Sequence, residues 1–170
     1  MNQTRINGVV SDLLKQEDCE AIVNSAHPSM LAGSGVCGLI HRAAGKELEI
    51  YGKQFAPLKL TQAVVTPAFN LPYRAIIHVN APRFHNETDP YNLIDQCLYN
   101  VFELAEKCQL KRIALPAIGT GIYGFPIEES IKIYAQVATK FIDSELEEIR
   151  FVFTTVENSD LMNKQLRDLK

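Results

Sequence analysis

The sequence predicts an α/β fold in which helices cover both faces of a mainly parallel sheet. Short apolar runs alternate along the chain with longer stretches whose apolar residues recur at helical spacing. Several of the short runs are apolar at consecutive positions, as in strands that are buried on both faces. The 170 residues suit a single domain, 1–170, and 46% of them are apolar, which is enough for a core without disulfides or metals.

Six short runs are predicted to be strands. Four of them are rich in valine, isoleucine or phenylalanine, which favour strands. The six runs are residues 6–10, 21–23, 63–65, 75–79, 113–115 and 149–153.

Four longer stretches are predicted to be helices. Residues 91–108 place apolar side chains at i, i+3 and i+4, which is typical of an amphipathic helix. Pro126 and the acids that follow it suit the first turn of another, which runs to about residue 141. Residues 36–44 form a shorter helix that ends at Gly45, and residues 158–160 can cap a final helix. Residues 83–90 are predicted to be a loop without clear chemistry.

The charge pattern excludes two classes of partner. Seventeen basic and twenty acidic residues give a net charge of −3, and no run of Lys or Arg exceeds the pair Lys111-Arg112. Proteins bind duplex nucleic acid and anionic membranes through basic patches. Because the sequence has none, we expect this chain to bind neither. No apolar stretch approaches the ~20 residues that span a bilayer, and no apolar segment follows the first residues as in a secretory signal. We expect a soluble, cytoplasmic monomer.

The cysteines do not indicate a metal or disulfide framework. Cys19, Cys37, Cys97 and Cys108 form no C-x-x-C pair, and no histidine pair has zinc-finger spacing. Because no export signal is visible, we expect the chain to lie in a reducing compartment, where disulfides are rare. Cys97 and Cys108 lie in the amphipathic stretch and are expected to pack in the core. No metal and no cofactor is predicted.

Two segments have the same glycine pattern, G-x-G-x-x-G, at residues 33–38 and 119–124. Each follows a predicted strand and precedes a predicted helix, where backbone N–H groups and the helix dipole favour phosphate. One such loop alone is better explained as a tight connection. Because both loops would emerge at the carboxyl ends of parallel strands, together they could hold a diphosphate.

Two common nucleotide folds fit less well. A Rossmann site needs its loop directly after the first strand and an acidic residue after the next, and residues 63–65 end without one. A P-loop needs Gly-Lys-Ser/Thr, which is absent from the sequence.

The glycine segments and their flanks resemble the macrodomain family. The matching segments are A-I-V-N-S-A-H-P-S at 21–29, G-S-G-V-C-G-L-I-H-R-A-A-G at 33–45 and L-P-A-I-G-T-G-I-Y-G-F-P at 115–126. The usual family forms of the first two are V-N-A-A-N and G-G-G-V-D-G-A-I-H-x-A-A-G, and the match extends from residue 12 to residue 158. The resemblance implies a three-layer α/β/α sandwich with a mixed, mainly parallel sheet that binds ADP-ribose. Some members remove ADP-ribose from proteins or deacetylate O-acetyl-ADP-ribose.

The resemblance also implies roles for individual residues. Asp12 would accept a hydrogen bond from the adenine amino group, with Leu13 against the ring, although Asp12 could equally be a turn cap. Asn24 would order the site near the distal ribose. Asn158 lies where many members place an aromatic ring beside adenine; Phe151 or Phe153 could serve instead, or both could be core. The implied phosphate and ribose contacts are Gly33, Ser34, Gly35, Val36, Cys37 and Gly38 in the first loop and Gly119, Thr120, Gly121, Ile122 and Tyr123 in the second.

The sequence departs from the family at two positions that serve hydrolysis in the catalytic branches. His27 replaces an asparagine and Cys37 replaces an aspartate. In one hypothesis, Asn24, His27 and Cys37 are catalytic, with His27 or His41 as base for a thiol activated by a helix N-terminus. In the other, Cys37 fills a small apolar space and His27 only lines the site. Zinc held by Cys37, His41 and His27 would lack a fourth ligand.

These observations leave the activity open. The chain is expected to bind ADP-ribose or a derivative, either as a hydrolase acting at the distal ribose or as a binding module without turnover. A binder of another nucleotide derivative on the same scaffold is the alternative.

Overall fold

The computed structural model describes residues 2–170 and contains one mixed sheet of six strands; Met1, the first residue of the predicted domain, lies outside the described residues. The spatial order is β1-β6-β5-β2-β4-β3, parallel throughout except for the antiparallel pair β3–β4. The predicted strands are confirmed, most of them one or two residues longer. They are β1 (Arg5–Val10), β2 (Ala21–Ser25), β3 (Ala63–Thr66), β4 (Ala75–Val79), β5 (Arg112–Leu115) and β6 (Glu148–Phe153).

Five α-helices lie within residues 2–170, one more than the sequence predicted. The additional helix, α2, has only six residues, too few for a periodic pattern to show. None of these helices has the length and apolarity that a bilayer crossing requires. They are α1 (Gly35–Ala44), α2 (Glu47–Gly52), α3 (Pro90–Lys107), α4 (Ile127–Thr139) and α5 (Val156–Asp168).

The start of α5 corrects a prediction. The hydroxyl of Thr155, not residues 158–160, caps this helix, accepting a hydrogen bond from the Asn158 N–H at 3.3 Å. Asn158 therefore lies inside the first turn. Threonine, like asparagine and serine, is a preferred cap residue, and the sequence contains all three near the start of α5.

The helices form two layers, one on each face of the sheet. Ala21, Val23 and Ile77 point toward the layer of α3, α4 and α5, whereas Ile22 and Ile76 point toward α1. All five side chains are buried. Because alternate residues of a strand face opposite sides, both faces must be apolar, which explains the uninterrupted apolar runs. The predicted α/β/α sandwich is confirmed.

Strand direction brings the two glycine loops together. β2 and β5 are parallel neighbours in the sheet, so their carboxyl ends, at Ser25 and Leu115, lie at the same edge. The chain leaves β2 toward α1 through residues 26–34 and leaves β5 toward α4 through residues 116–126. Both glycine segments therefore lie above the middle of the sheet, where open α/β sheets bind ligands.

A core tyrosine fixes the second of these loops. Tyr134 of α4 is fully buried, and its ring stacks on Phe151 of β6 with centroids 5.5 Å apart. Its hydroxyl donates a hydrogen bond to the backbone carbonyl of Ile118, directly before Gly119. The position of the loop therefore depends on the packing of α4.

Tyr134→Phe removes this hydrogen bond and leaves a buried carbonyl without a donor. We expect the free energy of unfolding to fall by about 1–2 kcal/mol. Urea denaturation of wild type and variant measures the loss. Tyr99→Phe is the matched control, because Tyr99 is 43% exposed and its hydroxyl makes no hydrogen bond within residues 2–170. Equal stabilities of the two variants would show that the bond contributes nothing.

Candidate functional site

A groove crosses the carboxyl edge of the sheet. It consists of two cavities of about 540 and about 500 Å³, which share the lining residues Val36, Pro116, Val152 and Thr154. The larger cavity, here called the loop half, contains both glycine segments. The smaller, here called the Asp12 half, is lined by Asp12 and its neighbours. The predicted site residues in the loop half are His27, Gly33, Ser34, Gly35, Val36, Cys37, Gly119, Thr120, Gly121, Ile122, Tyr123 and Asn158.

The first glycine loop presents the start of α1 to the groove. The first N–H groups of this helix, from Gly35 onward, have no acceptor within the helix, and the Ser34 side chain does not cap them. Gly38 does not line the groove; a Cβ there would lie 2.3 Å from the Gly33 carbonyl oxygen. Glycine at position 38 therefore allows the backbone of the first glycine loop to pack closely against α1. The free donors and the helix dipole give this wall a partial positive charge.

The second glycine loop is a compact turn. It leads into a short 3-10 helix, Gly121–Tyr123, and not directly into α4. The Phe125 N–H donates to the Gly119 carbonyl at 3.0 Å and closes the turn. Gly121 has a φ of 72° and open space where a Cβ would point, so its backbone can approach a ligand closely.

Arg83 is a wall residue that the sequence analysis missed, since residues 83–90 were assigned no chemistry. Its guanidinium carbon lies 4.9 Å from the ring centroid of Tyr123 in the loop half. Phe84 holds this segment in place through edge contacts with Tyr91 at 5.5 Å and Phe125 at 5.2 Å. Among residues 2–170, Arg83 is the only Arg or Lys that lines the groove. Its guanidinium forms no ion pair with a carboxylate of these residues. Its place shortly after the carboxyl end of β4 is the signal that could have identified it.

A buried polar row lies beside the loop half. Asn24 Nδ2 is 3.1 Å from His78 Nδ1, and His78 Nε2 is 2.9 Å from the Thr66 hydroxyl. Because that hydroxyl donates to the Pro67 carbonyl at 3.0 Å, the imidazole must donate through Nε2 and accept from Asn24 through Nδ1. Burial, with the nearby His41, lowers the pKa of His78 to about 3. His78 is therefore a neutral, fixed acceptor for Asn24.

Asn24 reaches the groove only through Cys37. It is fully buried and does not line either cavity, but its Nδ2 lies 3.7 Å from Cys37 Sγ. Its Oδ1 is buried and has no hydrogen-bond partner within residues 2–170. Two of the three predicted catalytic residues, Asn24 and Cys37, are thus in contact.

The third, His27, points elsewhere. It lines the loop half, but its Nδ1 lies 2.7 Å from the Ser29 hydroxyl and accepts from the Ser29 N–H at 3.1 Å. His41 is buried one helical turn after Cys37 in α1. Burial alone would raise the pKa of Cys37, but the polar groups around it, His41 and Asn24 among them, outweigh burial and lower the pKa below its usual value.

The Asp12 half shows that Asp12 does act as a cap. Asp12 Oδ1 accepts the Leu14 N–H at 2.9 Å, at the start of a short 3-10 helix. Asp12 is exposed and lines the groove, so its second carboxylate oxygen is available to a ligand; Leu13 lines the same half and is buried.

Phe151 is fully buried in the core, and Phe153 lines the loop half. Within residues 2–170, no three His, Cys, Asp or Glu side chains cluster as metal ligands do.

Known proteins are similar to this chain in sequence and in fold. The Macro domain family model matches residues 23–134. The O-acetyl-ADP-ribose deacetylase of Escherichia fergusonii is 38% identical over 174 residues, covering 96% of each chain. A mutant Oceanobacillus iheyensis macrodomain with ADPR is 32% identical with a TM-score of 0.89, covering 95% of this chain and 91% of that one. The Trypanosoma brucei macrodomain in complex with ADP-ribose is 25% identical with a TM-score of 0.85, covering 94% and 68%.

The buried neutral imidazole of His78 makes stability depend on pH. The unfolded chain binds a proton at His78 near pH 6.5, whereas the folded chain does so only near pH 3. Because of this difference in pKa, the neutral His78 stabilises the folded chain fully above pH 6.5. The stabilisation is lost as the pH falls toward 3, by up to about 1.4 kcal/mol per pH unit. We expect His78→Gln to show a shallower decline between pH 6 and 4 than wild type in urea denaturation. His85→Gln, at an exposed position, should keep the wild-type slope; an equal slope in all three proteins would contradict the assignment.

Proposed function

The chain belongs to the Macro domain family, and on this premise we propose that the groove binds ADP-ribose and hydrolyses the acetyl ester of O-acetyl-ADP-ribose. The observation that carries the proposal is the pairing of two glycine loops in one groove that also reaches Asp12. A ligand with an adenine at one end, a diphosphate in the middle and a second ribose at the other matches this arrangement.

The proposed ligand lies along the whole groove. The adenine occupies the Asp12 half, where the free Asp12 oxygen accepts from its amino group. The diphosphate lies between the loops, and the distal ribose lies in the loop half beside Cys37 and Tyr123. This placement puts the acetyl ester next to Cys37, one of the three predicted catalytic residues.

The charge of the groove supports a diphosphate. Its positive charge comes from the N-terminal end of α1 and from Arg83 above Tyr123. A guanidinium without a carboxylate partner is free to pair with phosphate oxygens, and its fork of donors suits them. Asp12, at the other end of the groove, keeps its negative charge away from the phosphates.

The hydrolytic part of the proposal is supported by the relative from Escherichia fergusonii, named O-acetyl-ADP-ribose deacetylase, which matches this chain over nearly its full length. The contact between Asn24 and Cys37 at the groove wall supports it further. A binding module without turnover is the alternative, and an acetate-release assay separates the two. Cytoplasmic location, a monomeric state and the absence of a nucleic-acid partner remain predictions from the sequence.

Calorimetry with ADP-ribose and AMP tests the placement. We expect a micromolar dissociation constant for ADP-ribose, about −8 kcal/mol. AMP should bind much more weakly, because it lacks the second phosphate and the distal ribose and so leaves one glycine loop without a partner. Equal affinities would show that the two loops do not share one ligand.

Asp12→Asn separates base recognition from capping. The variant keeps an oxygen for the Leu14 N–H but presents an amide N–H₂ toward the adenine amino group, so two donors meet. We expect the binding of ADP-ribose to weaken by about 1.5–3 kcal/mol, as for loss of a hydrogen bond to a charged group. The inosine analogue, which has a carbonyl at that position, should bind the variant better than it binds wild type. If calorimetry gives unchanged affinity for both ligands, Asp12 serves only as a cap.

A further inference from the structure

Arg83 forms one wall of the groove at the end where the proposed ligand places its distal ribose. Its guanidinium carbon lies 4.9 Å from the centroid of the Tyr123 ring, and both residues line the loop half. A guanidinium above a ring is attracted by the negative face of the ring, while its N–H donors remain at its own edges. Because the distal ribose lies beside Tyr123 in the proposed placement, these donors lie close to any group that this ribose carries.

The contact between Arg83 and Tyr123 spans three neighbouring strands. Arg83 follows β4 and Tyr123 follows β5, and β2 lies between these two strands in the sheet. The contact therefore passes over the carboxyl end of β2, from which the chain continues to His27. His27 also lines the loop half, so Arg83 and His27 belong to the same end of the groove.

His27 supplies a second donor at this end. Its Nδ1 accepts from the Ser29 N–H at 3.1 Å, so the proton of the neutral ring is on Nε2. This second nitrogen has no hydrogen-bond partner within residues 2–170, and His27 is exposed. Nε2 is therefore free to donate to a ligand.

The loop half offers donors to an anion and has no acidic side chain that would repel one. Among residues 2–170, none that lines it is Asp or Glu. In the proposed placement the backbone N–H groups of the two glycine loops face the diphosphate. A guanidinium has five N–H donors at its edges, so Arg83 has donors left for a second anion beyond the diphosphate.

We infer that the ribose end of the groove selects O-acyl esters whose acyl group carries a free carboxylate, such as a succinyl group, and that Arg83 determines this specificity. The inference rests on the proposed function and names its substrate class more narrowly. The carboxylate pairs with the N–H donors of Arg83 and accepts from His27 Nε2. An acetyl group is uncharged and cannot make this pair.

The hydrolysis of such an ester balances in the same way as that of the acetyl ester. One water is added across the acyl C–O bond. Its oxygen bonds to the carbonyl carbon, the C–O bond to the ribose breaks, and the ribose oxygen takes a proton. ADP-ribose and the free dicarboxylic acid leave.

Calorimetry with three unreactive analogues of the ester tests the role of charge. In each, an amide replaces the ester on the distal ribose, and the acyl group is acetyl, succinyl, or succinyl with its carboxylate converted to a carboxamide. The carboxamide analogue has the length of the succinyl analogue but no charge. We expect wild type to bind the succinyl analogue about tenfold more tightly than the carboxamide analogue, as for a charge-assisted pair with arginine. The preference should shrink as the salt concentration rises.

Arg83→Gln should reduce the ratio of the two affinities to about one. Because Arg83 also contributes charge toward the diphosphate, this ratio and not the absolute affinity is the measure. His27→Phe, which keeps a ring without the donor, should lower the ratio about threefold. Arg42→Gln is the matched control and should keep the wild-type ratio, because Arg42 is exposed, lines neither cavity and forms no ion pair within residues 2–170.

The outcomes distinguish this inference from the proposed function. If wild type binds ADP-ribose and the acetyl analogue but does not prefer the succinyl analogue over the carboxamide analogue, the inference is overturned and the proposed function stands. An unchanged ratio in Arg83→Gln, or an equal loss of the ratio in Arg42→Gln, also overturns it, since the preference would then come from net charge or from another residue. Failure of wild type to bind ADP-ribose at all refutes the proposed function itself.

Discussion

The parallel pairing of β2 with β5 is the constraint on which the rest of the molecule depends. It brings the carboxyl ends of two strands that are far apart in the sequence to neighbouring positions at one edge of the sheet. β2 can hold this place because its neighbours β4 and β5 satisfy its backbone on both sides and the two helical layers bury both of its faces. The glycine loops, the N-terminal end of α1 and the groove between them all follow from where these two strands end.

The sequence was sufficient for those parts that a local pattern encodes. Strands that are buried on both faces have runs of consecutive apolar residues, and loops near a phosphate are rich in glycine, so the strands and both loops could be predicted from the residues alone. The short helix α2 and the cap at Thr155 could not, because six residues show no period and several neighbouring residues are of types that cap helices.

The contacts that tune the site depend on residues distant in the sequence. Asn24 and His78 are 54 positions apart and meet because β2 and β4 pair in register at those two residues. Arg83 lies over Tyr123 because Phe84 packs against Phe125. Neither the register nor this packing can be read from composition or spacing. For the same reason, the sequence could not show that the imidazole of His27 is bound to Ser29.

The hydrogen bond from Tyr134 to Ile118 has a consequence for how the protein can evolve. It joins a residue of the core, stacked on Phe151, to the backbone from which the second glycine loop begins. Natural selection for ligand affinity therefore also acts on Tyr134, a buried side chain of α4 that no ligand in the groove could contact. A substitution at position 134 that preserved the packing of the core but lacked the hydroxyl would still remove this bond to the loop, so the range of tolerated substitutions there is set jointly by the core and by the ligand.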